Sequence, residues 1–203
     1  MTDYPDYHKA TNTAYMELEK YDGSFPRIDI FRIIRQDRNI ALITYTEASE
    51  KLGCSHNEFA YNIAPSEQGF TIKESSSSRS IIFYNNLKDS KTIRFTMAHE
   101  LGHIRLKHEN DDKISDKEAN CFARNILCPC QFAVGFHLST AKEYSDWYGI
   151  SMPMAEAAIG NFKHDIWNID ENLYNEIRDK IDCYMFGISR TDLYGFSEPQ
   201  YYY

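Results

Sequence analysis

The chain has 203 residues, 42% of them hydrophobic, and a formal net charge of −8. A chain of this length buries roughly 70% of its unfolded surface on folding, and charged (26%) and aromatic (14%) contents of ordinary size exclude a globally disordered protein. The acidic balance argues against a protein that coats nucleic acid through a broad basic surface.

In chain order, residues 7–20 follow a helical period, with Ala10, Ala14, Leu18 and Tyr21 on one side. Asp22-Gly23 and Pro26 break that pattern, and a second helix is predicted over 27–37. Asn39 to Tyr45 reads as a buried strand, followed by a short helix over 46–52 that Gly53 ends. Phe70 to Lys73 and Ser80 to Tyr84 are β-rich and are expected to pair antiparallel across a polar loop, Ser75-Ser76-Ser77-Ser78. A strong helix is predicted over 91–107, started by Asp89-Ser90. After the polar turn Glu109-Asn110-Asp111-Asp112 comes a helix over 115–127, with Ser115 as N-cap and Glu118 three residues on in a capping-box spacing, stopped by Pro129. Further helices are expected over 139–162 and 170–186, and Ser197 to Tyr203 is expected to be poorly anchored.

No apolar run approaches the ~20 residues of a membrane-spanning helix, and the opening MTDYPDYHKATN has no signal-peptide core. A cytoplasmic protein without membrane contact is therefore expected. The five cysteines, Cys54, Cys121, Cys128, Cys130 and Cys183, are odd in number and lack the spacing of a stapled domain, so they read as reduced structural residues.

The segment that carries chemistry is His99-Glu100-Leu101-Gly102-His103. On a helix, positions i and i+4 are about 40° apart, so both imidazoles face one point and make half of a tetrahedral zinc site. Glu100 sits beside them as a general base for metal-assisted hydrolysis. Composition alone produces such a pattern in about 2% of chains of this make-up, and its placement inside a predicted helix separates it further from chance. A third ligand is required. His108 lies about 180° round the same helix and joins only if the helix has already ended. Arg105 and Glu109 stand where the metzincin pattern needs Gly and His, which excludes that arrangement. Glu118, in the first turn of the next helix, is the leading candidate; Asp116 is the second, and the small Ala119 and Ala123 would let the two helices approach closely. Tyr84, Arg94 and His137 are candidates for stabilising an oxyanion, and Asn120 for supporting a histidine.

The run Arg94-Phe95-Thr96-Met97-Ala98-His99-Glu100-Leu101-Gly102-His103, with Glu118-Ala119-Asn120-Cys121-Phe122-Ala123 and Leu127-Cys128-Pro129 after it, resembles the ImmA/IrrE family of metallopeptidases. The likeness is strong over about 80–130 and looser over 7–80. It departs from the family at Cys128, where methionine is usual. The resemblance implies an α+β, minimal zincin-like domain: a small sheet of about three strands packed on helices, with a C-terminal helical extension. The expected division is 1–135 for the peptidase domain, 136–190 for the extension and 191–203 for a tail. It implies one Zn2+ per chain held by His99, His103 and Glu118, with Mn2+ the other metal these ligand types admit, and Glu100 as general base. It also implies a regulatory hydrolase whose protein substrate is a helix-turn-helix transcriptional repressor, often encoded nearby on a mobile element or stress locus.

Two elements bear on substrate. Ser80 to Tyr84 is expected to act as an edge strand that takes up an extended peptide. Tyr148-Gly149-Ile150-Ser151 resembles a helix-turn-helix turn. The helix after it, Met152 to Ile159, carries no Lys or Arg, so a cap that shapes the cleft or binds the repressor fits better than direct nucleic-acid binding. The competing reading is a non-catalytic metal-binding regulator that binds the repressor or DNA. An intact Glu100 speaks for catalysis. Oligomeric state is not legible in the sequence.

Overall fold

The computed structural model describes residues 4–74, 79–110 and 112–195. The serine run and the tail from 197 lie outside the described residues. The fold is α+β, helix-rich, with one small mixed sheet.

The first helix, α1 (Tyr7–Lys20), starts where Asp6 accepts the N–H of Lys9, and it buries Ala10, Ala14, Tyr15 and Leu18 completely. Helix α2 (Ile30–Gln36) is shorter at both ends than its sequence pattern, since the Asp29 carboxylate caps it and the chain is extended again at Asp37. Strand β1 (Ile40–Thr44) runs into α3 (Tyr45–Leu52) through a capping box made by Thr44 and Glu47, and Gly53 closes that helix in the left-handed conformation. One helical turn, α4 (His56–Glu58), widens into a π-turn over Phe59–Ile63.

Strands β2 (Gly69–Lys73) and β3 (Ser80–Tyr84) complete the sheet in the order β1-β3-β2. β2 and β3 are antiparallel, as expected, with Thr71 opposite Ile82. β3 also pairs in parallel with β1, Leu42 opposite Ile82. β3 is thus the central strand, which corrects the expectation that it offers a free edge. Its apolar Ile81, Ile82 and Phe83 suit a strand flanked on both sides. The two outer edges of the sheet belong to β1 and β2.

One sheet face, with Leu42, Ile82 and Thr71, lies on α5 (Ser90–Arg105); the other, with Ile43, Phe83 and Phe70, packs on Tyr45, Phe59 and Ala60. Phe70 and Phe83 stack at 4.8 Å between ring centroids on that second face. β2 approaches α5 closely at Gly69, where a Cβ would sit 2.5 Å from Thr96 Cγ2 and 2.9 Å from the Phe83 carbonyl.

Helix α6 (Lys113–Leu127) returns antiparallel along α5. It starts two residues earlier than expected because Asp112 is its cap, accepting the N–H groups of Ile114 and Ser115 at 2.9 Å each. Ser115 is inside the helix, and the capping box expected of it is absent. Pro129 ends α6 and opens α7 (Cys130–Gly135). Then follow α8 (Ala141–Tyr148), α9 (Met152–Asn168), α10 (Glu171–Phe186) and α11 (Arg190–Gly195). These C-terminal helices share the main core with α1 and α6 through Tyr148, Ala155, Ala158, Ile177 and Ile181. Arg124 of α6 and Asp165 of α9 form a two-pronged ion pair at 2.6 and 2.7 Å. Lys180 of α10 donates to the carbonyls of Leu18, Glu19 and Tyr21 at the end of α1. Among the described residues no helix is long and apolar enough to cross a membrane.

Candidate metal centre

Helix α5 is continuous through 99–103, so the i, i+4 spacing does what the helical period requires. The Nε2 atoms of His99 and His103 are 3.0 Å apart. The carboxylate beside them is that of Asp116: its Oδ1 lies 3.9 Å from His99 Nε2 and 3.7 Å from His103 Nε2. These three donor atoms all fall within 4.8 Å of one another. Two ligands on one tetrahedral zinc ion stand about 3.3 Å apart, given bonds of about 2.0–2.1 Å. Two imidazoles and a carboxylate at these separations therefore fit a single divalent cation by chemistry and by span.

The expected third ligand, Glu118, is elsewhere. Two residues along a helix is a rotation of about 200°, so Asp116 and Glu118 project from nearly opposite faces of α6. The face shared by Asp116, Ala119, Asn120 and Ala123 turns to α5. The fit there is tight: a Cβ on Gly102 would stand 3.1 Å from Phe122 Cδ1 and 3.2 Å from Ala119 Cα. Asn120 uses that face to place its Oδ1 3.0 Å from His99 Nδ1. Glu118 instead accepts the Asp6 backbone N–H at 2.7 Å through Oε1 and meets His108 Nε2 at 2.9 Å through Oε2.

His108 reaches this cluster because α5 ends early. The last helical residue is Arg105, Lys107 takes a left-handed φ of 61°, and the His108 N–H returns to the His103 carbonyl at 3.1 Å. That turn brings His108 Nδ1 to 3.0 Å from His103 Nδ1. His103 itself is buried. Burial first, then the neighbouring His99, His108 and Lys73, hold its pKa down at about 3, so it is a neutral imidazole.

Glu100 is buried next to the pair and accepts a hydrogen bond from Thr71 Oγ1 of β2 at 2.8 Å. Lys73, two residues along the same strand face, donates from Nζ to the His108 carbonyl and lies 3.5 Å from that of His103. Thr71, Lys73, Glu100, His103 and His108 line one pocket. The suggested oxyanion groups are not in it. Arg94 is spent on the carbonyls of Ile28, Tyr148 and Gly149. Tyr84 lines a different cleft, between α2 and α8. His137 is exposed in the turn after α7.

Residues 57–146 match the family model of the IrrE N-terminal-like domain, peptidase family M78. This stretch, a little under half of the chain, is similar to that metallopeptidase family. The matched stretch runs from α4 into α8 and so contains β2, β3 and the whole α5–α6 pair. No curated protein is significantly similar to the chain.

Proposed function

We propose that the chain is a zinc-dependent endopeptidase in which His99, His103 and Asp116 hold the ion and Glu100 moves the proton. The observation that carries this reading is the pair of Nε2 atoms 3.0 Å apart with Asp116 Oδ1 within 3.9 Å of both. A bound ion would supply Lewis-acid chemistry, polarising a carbonyl and making a water acidic near neutral pH. Glu100 would accept that proton and pass it to the leaving amine. Thr71 Oγ1 donates to one carboxylate oxygen of Glu100 at 2.8 Å, which helps to hold the carboxylate beside the imidazole pair. The outer edge of β2, beside Glu100, is where an extended substrate segment would add as a further strand. The resemblance of 94–130 to the ImmA/IrrE family points to a helix-turn-helix repressor as the substrate.

The test pairs metal content with cleavage. The unaltered chain should carry about one zinc, and Asp116→Ala should carry much less. Glu100→Gln should keep the metal and lose about 10²- to 10⁴-fold in the rate of repressor cleavage, and a chelator should abolish cleavage by the unaltered protein. A chain that takes up no metal when zinc is supplied would sink this reading in favour of a non-catalytic regulator.

A further inference from the structure

Three contacts form a continuous line from the backbone of residue 6 to the imidazole pair. The Asp6 N–H donates to Glu118 Oε1 at 2.7 Å, Glu118 Oε2 meets His108 Nε2 at 2.9 Å, and His108 Nδ1 meets His103 Nδ1 at 3.0 Å. The side chains of Glu118 and His108 are about nine-tenths buried. We infer that Glu118 and His108 are a positioning relay that fixes which nitrogen of His103 faces the ion; this rests on the metal-site reading above.

The logic is one of donors and acceptors. Glu118 Oε2 is the acceptor of its contact with His108, so His108 presents an Nε2–H to it. In the tautomer that carries its one proton there, His108 offers Nδ1 as an acceptor to an Nδ1–H of His103, and that contact holds the His103 ring with Nε2 toward His99 and Asp116. The first link, from Asp6, satisfies the second carboxylate oxygen and stops Glu118 rotating away. Metal-bound histidines are commonly oriented by a partner on the far nitrogen. His99 has a one-residue partner in Asn120; His103 has a two-residue one. Glu118 thus serves the metal without touching it.

Zinc affinity, measured by competition with a chromophoric chelator on the full chain, tests this. Glu118→Ala and His108→Ala should each weaken binding about 10- to 100-fold. Because both break the same line, the double variant should be no weaker than His108→Ala alone. Glu118→Gln, which keeps an acceptor oxygen, should recover to within a few-fold of the unaltered chain. In the cobalt-substituted protein, Glu118→Ala should leave the ligand-field bands in place, whereas Asp116→Ala should change them. Four results would overturn the relay. Glu118→Ala could bind zinc as tightly as the unaltered chain. The two single losses could multiply in the double variant. Glu118→Ala could shift the cobalt bands, making Glu118 a direct ligand. Glu118→Gln could remain as weak as Glu118→Ala although both fold. In each of these cases Asp116→Ala still reports separately on the metal site, and only failure of the unaltered chain to bind metal removes both.

Discussion

Helix α6 has two working seams, and they are built differently. Toward α5 it presents small residues, Ala119 and Ala123, against Gly102, and the space so released holds Asp116, Asn120 and the imidazoles. Toward α9 it presents Arg124, locked to Asp165 in a two-pronged ion pair with little solvent access. The first seam aims donor atoms; the second holds two helices in place. The strong ion pair thus lies on a different face of α6 from the carboxylate of Asp116.

That contrast can be broken from either side. The largest effect is expected at the α9 seam: Asp165→Ala strands the Arg124 guanidinium and should cost about 3–5 kcal/mol of stability, read by chemical denaturation. If the seams are separable, the zinc affinity of the protein that remains folded should change little. Gly102→Val attacks the α5 seam. The added side chain meets Phe122 and the Ala119 backbone, and overpacking of this kind costs about 1–3 kcal/mol. Here metal affinity should fall with stability, because α6 carries Asp116 away from the imidazoles. Full retention of zinc by Gly102→Val would show that the close approach is not what positions Asp116. The smallest effect is expected at Thr140, whose hydroxyl caps α8 by accepting the Glu143 N–H. Thr140→Ala should cost about 1 kcal/mol with no change in zinc affinity, a control for destabilisation that lies off the site.

How much of this was legible depends on range along the chain. His99, Glu100 and His103 lie within one helical turn and a little more, so their convergence follows from the period alone. Ligand chemistry favours Glu118, because a His-His-Glu set is familiar for zinc. The phase of α6 favours Asp116. If Ala119 and Ala123 face α5, then Asp116 lies within about 60° of them, while Glu118 is about 100° from Ala119. The helical period alone carries this phase relation. His108 was conditional on where α5 ends; Lys107 adopts a positive φ although it is not glycine, and no local pattern announces that. The central place of β3 depends on its parallel pairing with β1, residues 40 apart in sequence, which periodicity does not reveal. The α6 cap is ambiguous in sequence because Asp112 and Ser115 are both good caps, and the earlier one captures two N–H groups.

The contact between the Asp6 amide and Glu118 spans 112 positions, and it has a consequence for biosynthesis. Helix α1 leaves the ribosome long before α6 and α10, the helices that cover it. At about 5–20 residues per second, some 5–20 seconds pass before α6 follows, and longer before α10 does. Throughout that interval the apolar side of α1, with Ala10, Ala14, Tyr15 and Leu18, has nothing to pack on. A nascent chain in that state is a natural client for a chaperone. Hydrolytic competence would then arrive late, only once the newest helices close over the oldest.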